Sequence, residues 1–262
     1  MQLTPRVLPD TATIGETVAD LILEKISAKA GRPFLLGCPS GRTAVPVYAA
    51  LTRRAASGAD LSTLIIVMMD DYVLPDGDSG FHIVDPEASY SCLRFARHDI
   101  LEPIARACRA AGTRPPTQIW TADPADPAAY DVRIETAGGI DLFLLASGDS
   151  DGHVAFNQPG TAKNARTHIV ELGEATRRDN MGTFPEFTRL EMVPHNGVTV
   201  GIDTIVRLSA SVVMILAGPY KRKAFARIST AQAYEPDWPA TIVTECRDAA
   251  LLVDRDAAAL PV

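Results

Sequence analysis

An acid and an imidazole stand two residues apart in the stretch Gly148-Asp149-Ser150-Asp151-Gly152-His153-Val154-Ala155-Phe156-Asn157-Gln158-Pro159-Gly160. An imidazole moves protons near neutral pH, and a carboxylate beside it sets its tautomer. His153 and Asp151 are therefore the first candidates for proton transfer. Taken alone, the same residues would also make an ordinary Gly-rich turn with a solvated Asp and a half-buried His. What precedes them matters: Ile140 to Ala146 is an apolar run that reads as a buried strand. Ligands of open α/β sheets bind at the carboxyl ends of such strands.

Three further loops have the same placement. Pro33 to Gly37 reads as a short buried strand running into Cys38-Pro39-Ser40-Gly41-Arg42-Thr43, followed by a helical stretch from Val45 to Ala55. Strand, Gly-containing turn and helix aim backbone N–H groups and a helix N-terminus at an anion. The spacing is neither a P-loop nor a dinucleotide fingerprint, so what remains is a small phosphate cup with two hydroxyls and an Arg, or a plain tight turn. Leu61 to Met69 is a second apolar run ending in Asp70-Asp71-Tyr72. Adjacent carboxylates there are costly unless hydrated, hydrogen-bonded or used. Because successive strand side chains point opposite ways, one acid can face a cleft and its neighbour the scaffold. Ser211 to Gly218, strongly apolar, ends in Pro219-Tyr220-Lys221-Arg222-Lys223, basic residues at a strand-to-helix turn that suit an anionic ligand.

These loops need a frame. Apolar positions at helical spacing predict a helix from Thr13 to Ala30, with Thr11 or Thr13 as its cap. Ser89 to Ala111 reads as a helix, Gln118 to Trp120 as a short strand and Ala128 to Ala137 as a short helix. Asp76 to Pro86 reads as a surface loop, Asn196 to Ile202 as a strand, and Thr241 to Thr244 and Ala249 to Val253 as the last strands, with Asp254 ending the ordered part. The polar segment 161–189 is either a lid near the site or a surface excursion. Strands alternating with helices predict an α/β chain: a doubly wound, mostly parallel sheet with helices on both faces (Rossmann-like), one domain over residues 1–262.

Composition narrows the partners. The chain has 262 residues, 47% hydrophobic and 22% charged, enough for a full core. A net charge of -7 disfavours a nucleic-acid partner but leaves room for an anionic small substrate in a local basic pocket. Cys38, Cys92, Cys108 and Cys246 are scattered without metal-type spacing. With no signal peptide read and no apolar run of the ~20 residues a membrane span needs, a cytoplasmic chain with reduced thiols is the expectation.

In this order the motifs resemble the glucosamine-6-phosphate deaminase/isomerase family, within the superfamily shared with 6-phosphogluconolactonase. The resemblance rests on Leu36 to Thr43, Met69 to Val73, Ser89-Tyr90-Ser91, Asp151 to Pro159, Val198 to Gly201 and Gly218 to Lys221, and covers about residues 10 to 255. It implies an enzyme that isomerises a hexosamine 6-phosphate with release of ammonia. Asp70 would move a proton between C2 and C1 of the open-chain sugar, and His153 would open the ring with Asp151 orienting it. Ser40, Gly41, Arg42, Thr43 and Lys221 would hold the 6-phosphate. Neither metal nor organic cofactor is implied, and homo-oligomers are common in the family.

Two departures accompany the resemblance. The family's deaminases have Asn-Glu-Pro where this chain has Asn157-Gln158-Pro159. Gln158 takes the place of the acid that completes an acid–His–acid relay, and as a catalytic candidate it would orient the ring by hydrogen bonds but carry no charge. The family's phosphate-binding Arg on the following segment aligns at Gly182 or a neighbour, with Arg177 and Arg178 nearby. Slower ring opening or a different substrate is the consequence expected. The competing readings are a sugar-phosphate lactone hydrolase, in which His153 activates water, and a catalytically impaired sugar-phosphate-binding protein.

Overall fold

The computed structural model describes residues 3–77 and 80–259. In chain order its first half comprises β1 (Arg6–Leu8), α1 (Thr11–Ala28), β2 (Phe34–Cys38), α2 (Val45–Ala56), β3 (Leu64–Met68), β4 (Asp70–Asp76), β5 (Gly80–Ile83), α3 (Cys92–Phe95), α4 (Glu102–Ala110), β6 (Gln118–Trp120) and α5 (Pro127–Thr136). Then follow β7 (Leu142–Ala146), β8 (His168–Glu171), α6 (Glu174–Met181), β9 (Asn196–Thr199), α7 (Ile202–Leu208), β10 (Val212–Leu216), α8 (Arg222–Thr230), β11 (Ala249–Asp254) and α9 (Arg255–Ala258).

Seven strands form a parallel sheet in the order β1-β11-β10-β7-β2-β3-β6. Its central strands are continuous apolar runs because both faces are covered. Alternate residues feed separate cores: Phe34, Leu36, Ile66, Met68 and Leu144 pack with α1, α2 and α4, while Leu35, Val67, Phe143, Leu145 and Met214 pack with α5, α7 and α8. The doubly wound α/β architecture expected from the strand–helix alternation is the one observed.

A second sheet, β5-β4-β9-β8, is antiparallel and was not expected. Residues read as surface loop from Asp76 to Pro86 include β5, whose Ile83 pairs with Val73 in a hairpin. Asp78 and Ser79 lie outside the described residues. The segment 161–189 contains β8 and α6, seated on a small core of Tyr72, Phe156, Leu172, Phe184 and Phe187.

Local boundaries differ where side chains compete with the apolar pattern. Asp10, rather than a threonine, caps α1, accepting the Thr13 N–H at 2.7 Å. The helix read from Ser89 to Ala111 starts at Cys92, capped by Ser91, and passes through a π-helical segment, Ala96–Leu101, between α3 and α4. Thr241 to Thr244 is part of a 3-10 helix, Pro239–Glu245, not a strand. Pro239 starts it, and the Thr241 and Thr244 hydroxyls donate back to the carbonyls of Trp238 and Thr241. Asp254 does not end the ordered chain: it caps α9 through Ala257 N–H at 2.8 Å and holds Gly218 N–H at 2.9 Å.

Candidate active site

The loops after β2, β3, β7 and β10 meet in one cleft at the carboxyl ends of four adjacent strands, with Ser40, Gly41, Arg42, Thr43, Asp70, Gly148, Asp149, His153, Tyr220 and Lys221 on its walls. This is where the sheet order reverses, between β2 and β7, and where ligands of such sheets bind.

Asp70 stands at the crossing of the two sheets. The chain leaves the parallel sheet at Met68 and enters the antiparallel one at Asp70, opposite Thr199. The strand alternation then separates the two acids. Asp70 lines the cleft, while Asp71 is buried and accepts the N–H groups of Tyr72, Cys92 and Leu93 at 2.8–2.9 Å. Asp71 thus starts the helix at Cys92. Burial and the neighbouring Asp71 carboxylate push the Asp70 carboxyl up to about 7, with the Cys92 thiol and His153 pulling the other way. Cys92 donates to Asp70 Oδ1 at 3.6 Å and lies 3.2 Å from Ser40 Oγ, so one thiol joins the loop after β2 to the acid after β3. Burial keeps that thiol protonated.

His153 is held from one side. Its Nδ1 is 2.7 Å from Asp151 Oδ1, and its backbone N–H donates to the same oxygen at 3.0 Å. Thr176 Oγ1, on α6, donates to Asp151 Oδ2 at 2.7 Å. Burial alone would raise the Asp151 carboxyl, but these bonds and the imidazole outweigh it and hold the acid well below the usual carboxylate range. With Nδ1 committed to Asp151, Nε2 is the ring nitrogen left for proton exchange. The turn is stiff: buried Asn157 donates to the carbonyls of Val154 and Val200, and Gly152, at φ +71°, packs so close to the Trp238 indole that a β-carbon would stand 2.3 Å from the ring.

Asp151, His153 and Asp179 place ligand-type atoms within 4.8 Å of one another. The carboxylates of Asp151 and Asp179 already accept protein hydrogen bonds, Asp151 from His153 and Thr176 and Asp179 from Asp149 and Ser150.

The cationic side of the cleft is uneven. Lys221 is buried, bonded to the Ser147 carbonyl and paired with the Asp149 carboxylate. Arg42 stacks over the Tyr220 ring at 5.3 Å and has no carboxylate partner among the described residues. Neither Arg177 nor Arg178 reaches the cleft. Arg177 is buried and donates to the carbonyls of Leu190 and Val193, and Arg178 pairs with Glu174 on the surface. The position of Gly182 is instead faced by the Arg42 guanidinium.

Residues 9–252 match the family described as glucosamine-6-phosphate isomerases/6-phosphogluconolactonase. The chain belongs to this family. A glucosamine-6-phosphate deaminase of Pseudarthrobacter chlorophenolicus is 35% identical over 255 residues, 96% of this chain and 90% of that one. A solved structure of a monomeric glucosamine-6-phosphate deaminase has a TM-score of 0.79 at 22% identity, covering 100% of both chains. A 6-phosphogluconolactonase of Leishmania guyanensis has a TM-score of 0.68 at 16% identity, again covering 100% of both. The two structural likenesses establish the fold shared across the family.

Within this family frame, one candidate is out of place. Gln158 does not line the cleft. Its Nε2 donates to the Glu171 carbonyl at 2.5 Å and its Oε1 accepts the Gly173 N–H at 2.5 Å, which fixes the entry to α6. Asp179, Asn180, Thr183 and Tyr220 line the cleft without having been singled out from the sequence. Three of them lie on or just after α6, in the polar segment 161–189, and no local pattern marks them. Among the described residues no helix is long and apolar enough to cross a membrane.

Proposed function

We propose that this chain is an aminosugar-phosphate deaminase/isomerase, converting a hexosamine 6-phosphate to a ketose 6-phosphate with release of ammonia. The observation that carries the reading is Asp70: a carboxyl raised to about 7, opening on a cleft shared with an Asp151-bound imidazole and an anion-binding loop. A carboxylate tuned near neutrality suits abstraction of a proton from carbon next to a carbonyl. Relatives named glucosamine-6-phosphate deaminase support it, at 30–35% identity over most of the chain.

In this scheme His153 Nε2 gives and takes the proton that opens the ring, with Asp151 holding the imidazole. Asp70 then removes the C2 proton of the open-chain aldehyde and returns a proton to C1. The resulting C2 iminium takes up water and expels ammonia, leaving the ketose. Ser40, Gly41, Arg42, Thr43 and Lys221 hold the 6-phosphate, far from the reacting carbons, and so supply orientation. The segment 161–189 forms the wall that encloses the sugar, and residues 1–262 act as one unit. Gln158 supports that wall and has no part in the proton transfers.

The test is ammonia release from a panel of 2-amino-2-deoxyhexose 6-phosphates, with Asp70→Asn as control. Release that disappears in the variant is expected. No release from any member, with the same compounds raising the melting temperature, would overturn the deaminase reading in favour of a binding protein. Hydrolysis of 6-phosphosugar lactones that survives Asp70→Asn would overturn it in favour of the lactonase.

A further inference from the structure

We propose that Asp179 is a positioning residue for His153, bringing to the imidazole a second carboxylate beside that of Asp151. The inference rests on the proton-transfer reading above.

Asp179 sits in the last turn of α6, where the helix dipole disfavours an acid. Its tertiary contacts explain its presence there. The carboxylate accepts the N–H groups of Asp149 and Ser150 at 3.0 and 3.2 Å and the Ser150 hydroxyl at 3.0 Å. It lines the cleft beside His153. One of its oxygens lies within 4.8 Å of ligand atoms on both Asp151 and His153.

Thr176 and Asp179 are three residues apart and so share a helix face. Thr176 grips Asp151, and Asp179 grips the turn just before it. α6 therefore holds the 149–153 turn at two points. The start of α6 is in turn fixed by Gln158, whose amide carbonyl accepts the N–H of the helix-capping Gly173. The neutral side chain at 158 secures a helix, and that helix delivers the charge. Around His153 the ionisable groups are then Asp151 on its own turn, Asp70 from β4 and Asp179 from α6, with the Asp149–Lys221 pair alongside.

The experiment compares Asp179→Asn, Asp179→Ala and Asp179→Glu in the full chain. Asn keeps an acceptor for the turn and loses the charge. Two readouts are taken: kcat and KM for ammonia release from glucosamine 6-phosphate, and the pH titration of imidazole signals by NMR, with His153→Gln assigning His153. Asp179→Asn should lower kcat about tenfold with KM held within about twofold. It should also move the His153 midpoint to lower pH, as loss of a nearby negative charge requires. Asp179→Glu should keep the midpoint near that of the unmodified chain. A purely mechanical tether would leave Asp179→Asn unchanged in both readouts and harm only Asp179→Ala, and that result overturns the proposal. If the unmodified chain releases no ammonia, the functional reading fails, while the imidazole titration still decides the role of Asp179.

Discussion

The Arg42 guanidinium lies 3.6 Å from the point that a β-carbon on Gly182 would occupy. Arg42 comes from the loop after β2 and Gly182 ends α6 on the opposite wall, so a side chain larger than Ala at 182 would compete with Arg42 for the same space. Gly182→Ala meets only that ordinary contact and the Asp179 carbonyl at 3.2 Å, and it should change KM little. Gly182→Leu should push the guanidinium off Tyr220 and raise KM for the phosphorylated substrate about tenfold, the scale of one lost charge-assisted pair. Arg42→Gly should do the same. Adding Gly182→Arg to Arg42→Gly should recover part of the loss, because the charge then enters from the other wall. A double variant no better than Arg42→Gly alone would refute this arrangement.

Asp70 gives activity and stability opposite dependences on pH. As the base it must be ionised, so kcat/KM should rise with pH through a midpoint near 7. Asp70→Asn should lower kcat by about 10²–10⁴-fold, the usual worth of a positioned base. The folded chain binds this proton more tightly than the unfolded chain. Stability therefore falls as pH rises from about 4, the ordinary carboxylate value, to about 7. Thermal melts should show Asp70→Asn more stable than the unmodified chain at pH 8 and level with it near pH 4. Equal melting temperatures at pH 8 would mean that the carboxyl is not raised.

The parts of this fold legible in the sequence are those where burial overrides everything else. β2, β3, β7 and β10 are apolar on both faces, so their runs declare themselves, and the loops at their carboxyl ends could be expected to converge. Ser40 to Thr43, Asp70, Asp151, His153 and Lys221 do meet or support one cleft for that reason. The antiparallel sheet was hidden because its outer strands, β5 and β8, are short and half-exposed. Ile242 and Val243 misled because a short apolar run is the same for a strand and a buried 3-10 turn. Asp179 and the true place of Gln158 could not be read at all. Both depend on how α6 docks, which is set by Leu172, Phe184 and Phe187 packing under the second sheet.

Restoring an acid at 158 should harm this chain. Gln158 both donates, to the Glu171 carbonyl, and accepts, from Gly173 N–H. Glu at this position keeps the acceptor and sets a carboxylate oxygen against a carbonyl oxygen. Gln158→Glu should cost about 1–3 kcal/mol at pH 7, the range for stranding a hydrogen-bonding group. The loss should shrink below about pH 5, where the carboxyl regains a proton to donate. Urea unfolding at the two pH values checks both. A gain in kcat without loss of stability would instead place residue 158 at the imidazole.

Gly152 joins the two catalytic candidates, and its environment makes it irreplaceable. Its φ is +71°, and a β-carbon there would stand 2.3 Å from the Trp238 ring. The indole is 4% exposed, and the Gly152 carbonyl accepts the Ala240 N–H at 2.8 Å, so neither partner can step aside. Gly152→Ala should therefore cost about 2–4 kcal/mol from overpacking and backbone strain together. What relaxation is available moves Asp151 and His153, and an imidazole displaced by about 1 Å should lower kcat on the order of 10²-fold. Gly160→Ala separates the two causes. Gly160 has φ +92° but open space around its β-position, so its substitution should cost only about 1 kcal/mol and leave kcat unchanged. If both substitutions lower kcat alike, it is the backbone freedom of the whole loop, and not the seat of Gly152 on Trp238, that sets the imidazole.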